Sequence, residues 1–125
     1  MSLIYPELSK VIYDCAFEVH RHLGPGLLES AYEACLEKEL MDEDIVVERQ
    51  KSMPVPYKGL LLDVGYRLDL YVERKVILEL KAIDEIHPIH TAQLLTYMKL
   101  ANCRLGLLIN FNVVLLKDGI KRYVL

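Results

Sequence analysis

Between Glu7 and Leu23 the apolar residues Leu8, Val11, Ile12, Cys15, Val19 and Leu23 recur at steps of three and four, the period of a helix that buries one face. Gly24 ends the pattern, and Gly24-Pro25-Gly26 separates it from a second helical stretch, LLESAYEACLEKEL, whose apolar stripe is Leu28, Ala31, Tyr32 and Cys35. Glu29, Glu33 and Glu37 lie four apart on another face of that helix. A solvated surface accounts for such a row, and Glu29, in the first turn, also suits the positive end of the helix dipole. From Val46 the pattern changes to strand segments, VVERQ, MPVPY, LLLDV and then RLDLYVERKVILELKA, punctuated at Lys58-Gly59 and Gly65. Pro54 and Pro56 make MPVPY an edge strand or an irregular one, because proline has no N–H to give to a ladder. HPIHTAQLLTYMKLAN returns to helix with Pro88 in its first turn. CRLGLLINF and VVLLKDGIKRYVL close the chain as strands, the latter turning at Asp118-Gly119. Gly106 in the former marks a close backbone approach within the sheet.

The helix between VILELKA and RLGLLIN is long enough for a right-handed crossover, which makes those two strands parallel. The expected fold class is therefore α/β, a mixed β-sheet flanked by helices, in a single domain spanning residues 1–125. A chain of 125 residues can bury a core without disulfides or a structural metal. Cys15, Cys35 and Cys103 are widely spaced in apolar surroundings, which suits reduced core thiols. No apolar span is long enough for a membrane helix and no secretory signal is visible, so a cytoplasmic protein is expected. The net charge of -3 argues against a broad basic face.

Polar residues inside the strands carry the candidate chemistry. In the first strand of the RLDLYV hairpin, Tyr66, Leu68, Leu70 and Val72 share one face and Arg67, Asp69 and Tyr71 the other; in the second, Val76, Leu78 and Leu80 oppose Ile77, Glu79 and Lys81. If both apolar rows face the same side, paired residue numbers must have an even sum. A three-residue loop at Glu73, Arg74 and Lys75 sets Asp69 opposite Glu79, and a register two residues away sets it opposite Lys81. Either way two acids and a lysine converge. They form either an ion pair on a half-wet face, worth little when solvated, or a divalent-metal site built from hard oxygen ligands, with the intervening strand carbonyl as a third. Gln93 and Tyr97 share a face of the crossover helix, with His90 one turn earlier, and that helix starts near the C-terminal end of the Glu79-Leu80-Lys81 strand. His87 and His90 read as helix-start residues rather than metal ligands, and His20 and His22 as partners of the negative end of the first helix.

Gly26-x-x-Glu29-x-x-Tyr32 is the signature of the GxxExxY proteins, and RLDLYV, ILELKA and TAQLLTYMKLA in that order resemble the core of the PD-(D/E)xK nuclease superfamily. The similarity runs from about Val11 to Tyr123. It departs at Leu68, where the superfamily's name has proline, a position that supplies no ligand. The resemblance implies a restriction-endonuclease-like core and metal-dependent hydrolysis of a phosphodiester in DNA or RNA. It makes Asp69, Glu79 and the Leu80 carbonyl ligands of Mg²⁺ or Mn²⁺, with Glu29 completing that shell or supporting a second ion. Lys81 is the motif lysine, Gln93 the polar residue of the following helix and Tyr97 its companion; Tyr32 packs beside Glu29. Lys117, Lys121 and Arg122, with Arg49, Lys51 and Lys58, are candidates for a phosphate-tracking patch, with a solvated exterior the favoured description. The other reading is a catalytically silent binding or regulatory module on the same fold. A homodimer or a protein partner is compatible with either.

Overall fold

The computed structural model describes residues 4–125. The first two helices, α1 (Pro6–Leu23) and α2 (Glu29–Asp42), form where the spacing of apolar residues places them. Gly24 closes α1 at φ 65°, its N–H bonded to the His20 carbonyl, in a conformation that glycine adopts without a Cβ penalty. The buried face of α2 is rotated from the expected stripe: Tyr32, Glu33, Leu36 and Leu40 are buried, and Leu28 is 78% exposed. Leu28 precedes the first helical residue in extended backbone, so its side chain does not follow the helical phase. Tyr32 ties the preceding loop together. Its hydroxyl donates to the Gly24 carbonyl (2.6 Å) and accepts the Leu27 N–H (3.1 Å), and its ring stacks on Phe111 with centroids 4.6 Å apart.

The strands β1 (Val47–Ser52), β4 (Arg67–Val72), β5 (Val76–Lys81), β6 (Leu105–Asn110) and β7 (Ile120–Val124) form one mixed sheet in the order β1-β4-β5-β6-β7. β5 and β6 are parallel, joined across α3 (Pro88–Leu100), and the other neighbours are antiparallel. β2 (Val55–Tyr57) and β3 (Leu60–Leu62) pair only with each other, so the proline-bearing segment leaves the main sheet altogether. Asp118-Gly119 is not the tip of a hairpin. Leu116–Gly119 is a 3-10 turn, and only Ile120–Val124 is strand. The antiparallel partner of β7 is instead β6, with Ile109 paired to Ile120.

One core lies between the sheet and the α1–α2 pair, with Leu70, Val72, Leu78 and Leu107 among its buried members. A second lies under α3, built from Ile77, Leu94, Met98 and Leu108. The close approach at Gly106 is between sheet and helix rather than within the sheet: a Cβ there would sit 2.6 Å from Met98 Sδ and 3.0 Å from Leu94 Cδ1. Gly106→Val should therefore push α3 off the sheet and lower stability by about 1–3 kcal/mol, as overpacking does. The check is a lower urea midpoint at unchanged slope. Cys15, Cys35 and Cys103 carry free thiols. Among the described residues no helix is long and apolar enough to cross a membrane.

Candidate functional site

The β4–β5 hairpin pairs Val72 with Val76, Tyr71 with Ile77 and Leu70 with Leu78, around the three-residue loop Glu73, Arg74 and Lys75. The next step in that register sets Asp69 opposite Glu79. Here the regular ladder ends, because Asp69 Oδ2 accepts the Leu80 N–H (2.8 Å). On its other side Asp69 faces Gln50, whose φ of 53° interrupts the pairing of β4 with β1. The two breaks shift the phase of β4. Leu70 and Val72 pack in the α1–α2 core, whereas Leu68 packs under α3, so the expectation that all three share one face is corrected. Tyr66, expected on that same face, precedes the strand and is 48% exposed.

Glu79 is 4% exposed, and its Oε1 has no hydrogen-bond partner among the described residues. Burial first, and the neighbouring Asp69 second, push its carboxyl up to about 9. Lys81 is half-buried and enters no ion pair among the described residues, so the cluster is not the simple salt bridge that the sequence left open. A strand residue points its N–H and C=O toward the same neighbour. Since the Leu80 N–H meets Asp69, its carbonyl also faces the gap between β5 and β4. No group of three or more His, Cys, Asp or Glu side chains gathers to hold a metal ion among the described residues. The groups here that could hold a cation are two carboxylates and one carbonyl. That set fits a small hard cation that keeps part of its water shell, and an incoming cation would satisfy the orphaned Glu79 oxygen.

From α3, Gln93 Nε2 donates to the Tyr97 hydroxyl (3.2 Å). Both residues line, together with Lys81 and His90, a cleft of about 660 Å³. Burial, followed by the charge of Glu79, raises the Tyr97 hydroxyl above its ordinary value. His87 is the N-cap residue of α3, and His90 Nδ1 accepts the His87 N–H (2.9 Å). The two histidines serve the helix start, as their positions suggested.

Glu29 is exposed, with its charge acting on His90 of that cleft, and makes no three-carboxylate group with Asp69 and Glu79 among the described residues; the next acid of its row is turned inward. Glu33 is buried, receiving Arg49 Nε at Oε2 (2.8 Å) and Gln50 Nε2 at Oε1 (2.7 Å). Gln50 Nε2 also reaches Asp69 Oδ1 (3.3 Å), so the α2 acid linked to Asp69 is Glu33. Its place directly after Tyr32, beside the Tyr32-Leu36-Leu40 stripe, is the sequence signal for this; nothing in the sequence marks Gln50. Asn110 was also missed. It is paired with Lys81 across β5 and β6, and its side chain accepts the Ile83 N–H (3.2 Å) and donates to the Ile83 carbonyl (2.9 Å), fixing the chain just past Lys81. A polar residue ending the apolar run LGLLIN was the available clue. The candidate basic patch does not assemble. Arg49 and Lys51 lie on β1 and pair with Glu33, Glu37 and Glu48, while Lys121 and Arg122 lie on β7 at the opposite edge of the sheet.

A family model described as the PD-(D/E)XK nuclease superfamily matches residues 6–123. No curated protein and no solved structure matches the chain.

Proposed function

Since the chain belongs to the PD-(D/E)XK nuclease superfamily, we propose that it hydrolyses phosphodiester bonds of nucleic acid with one divalent cation, Mg²⁺ or Mn²⁺, held by Asp69, Glu79 and the Leu80 carbonyl. The observation that carries this reading is the buried Glu79 Oε1, left without a partner next to a second carboxylate. When bound, a divalent ion there supplies Lewis acidity toward water and a phosphoryl oxygen.

The chain's own groups do the rest. Lys81, which has no carboxylate partner among the described residues, orients the attacking water or meets the negative charge of the scissile phosphate. Gln93 positions water or the nucleic-acid backbone, and Tyr97 fixes the Gln93 amide through its hydroxyl. Glu33, through Gln50, restrains Asp69 in the gap between the strands. In the Gly26-x-x-Glu29-x-x-Tyr32 signature, by which we read the chain as a GxxExxY protein, Tyr32 holds the loop and Glu29 lies outside the ion's ligand set. Three free thiols are in keeping with a reducing, cytoplasmic setting.

The test incubates the purified protein with single- and double-stranded DNA and RNA in Mg²⁺, Mn²⁺ or EDTA, beside Lys81→Ala. Cleavage should require the ion and fall about a hundredfold or more in the variant, the loss typical of a donor aimed at transition-state charge. Absence of ion-dependent cleavage, or equal cleavage by the variant, would return the chain to a silent binding module.

A further inference from the structure

The cleft beside Lys81 is shaped for more than a phosphate. Its walls include Val55, Tyr66, Ile89 and Leu100, with Gln93 and Thr96 as polar groups among them. The Tyr66 ring is half-exposed and lies tilted toward Tyr97, with centroids 6.3 Å apart. A volume of about 660 Å³ falls within the range of small-molecule pockets, and mostly apolar walls with a few polar side chains are their usual make-up. The same cleft includes Lys81 and Tyr97, so whatever fills it lies beside the proposed reaction centre.

Resting on the nuclease reading, we infer that this cleft seats one unstacked nucleobase next to the scissile phosphate, and that the substrate is single-stranded nucleic acid. A base within a duplex is paired and stacked and cannot enter such a cleft unless it is flipped out at a cost. Tyr66 offers a face for stacking, and the Gln93 amide, which uses one N–H on Tyr97, retains its carbonyl for a base edge while its second N–H serves water or backbone. The charge distribution agrees. Tracking a duplex needs many phosphate contacts, yet Arg49, Lys51 and Arg74 are committed to ion pairs, and the β7 cations lie across the sheet. A single strand held through base stacking needs fewer cations.

The test measures anisotropy of fluorescein-labelled DNA and RNA single strands of about 12 nucleotides, and of the matching duplexes, in EDTA so that no cleavage intervenes. Single strands should bind more tightly than duplexes, and a DNA-RNA difference would assign the sugar. Tyr66→Ala should weaken single-strand binding about 5- to 100-fold while Tyr66→Phe retains it. Ile89→Trp, at another exposed position of the cleft, should weaken it as well by filling the space. Duplex binding equal to single-strand binding, or wild-type binding by both Tyr66→Ala and Ile89→Trp, would overturn the inference. A parallel Mg²⁺ arm separates the two ideas. Single-strand binding without any cleavage would remove the nuclease reading and leave the base site standing, whereas equal cleavage of single strands and duplexes would leave the nuclease and remove the base site's role in substrate choice.

Discussion

Asp69→Asn is expected to lower the rate of phosphodiester cleavage by about 10³-fold or more, a loss of roughly 4 kcal/mol in transition-state stabilisation, while the protein stays folded. The reason lies in the two tasks of this side chain. Structurally it accepts the Leu80 N–H at Oδ2 and a bond from Gln50 at Oδ1. An asparagine carbonyl can still accept the first of these, so the splayed end of β4 and β5 keeps its closure. Chemically the variant removes one of only two carboxylates in the donor set, and a neutral amide is a poor ligand for a hard divalent ion. Unaltered circular dichroism and a melting transition near that of the wild type, together with lost cleavage, are the expected pair of results. Cleavage at the wild-type rate would show that Asp69 belongs to the architecture alone.

The second large effect concerns pH. Burial and the Asp69 charge raise Glu79 from 4.5 to about 9, so the ion-free folded chain keeps a proton that the unfolded chain has released by neutral pH. Below the unfolded value both states are protonated and the contribution to stability is fully present. Between the two values the unfolded state binds fewer protons, so stability declines as pH rises, until it levels off above the folded value. The expected decline between about pH 5 and pH 9 is on the order of 5 kcal/mol. Glu79→Gln, which cannot ionise, should flatten that slope and be more stable than the ion-free wild type at pH 8. Urea midpoints in EDTA across this range read the effect directly. A wild-type midpoint that does not fall, or a variant whose midpoint falls in parallel, would mean that Glu79 does not hold this proton.

Much of this site was legible in the sequence because the sheet has two-residue alternation and one short loop. The apolar rows of β4 and β5 restrict the register to even sums, and Glu73, Arg74 and Lys75 make a three-residue loop sufficient, so Asp69 and Glu79 meet as one of the two registers required. The length of the helical segment from Pro88 to Leu100 likewise made β5 and β6 parallel. The failures have a common physical origin: alternation assumes an uninterrupted ladder. Gln50 at positive φ and a side chain replacing a backbone acceptor at Leu80 break it on both sides of Asp69, and Leu68 changes face. No periodicity contains either event. On α2 the expected stripe includes Leu28, which precedes the helix, so the buried face is rotated; separately, the acid linked to Asp69 through Gln50 is Glu33, whereas the resemblance implied Glu29. Glu33 is tolerated among buried neighbours because Arg49 and Gln50, distant in sequence, satisfy its oxygens. Lys51 and Lys121 share no basic face for a topological reason, since sheet order puts β1 and β7 at opposite edges.

Whether Asp69 and Glu79 form a divalent-ion site is tested most directly by calorimetric titration of Mn²⁺ into the wild type and Asp69→Asn at pH 7, in two buffers of different ionisation enthalpy. One ion per chain should bind to the wild type with release of about one proton, the one held by Glu79, and binding should be lost in the variant. Equal binding by both proteins, or binding to the wild type with no proton released, would contradict that assignment.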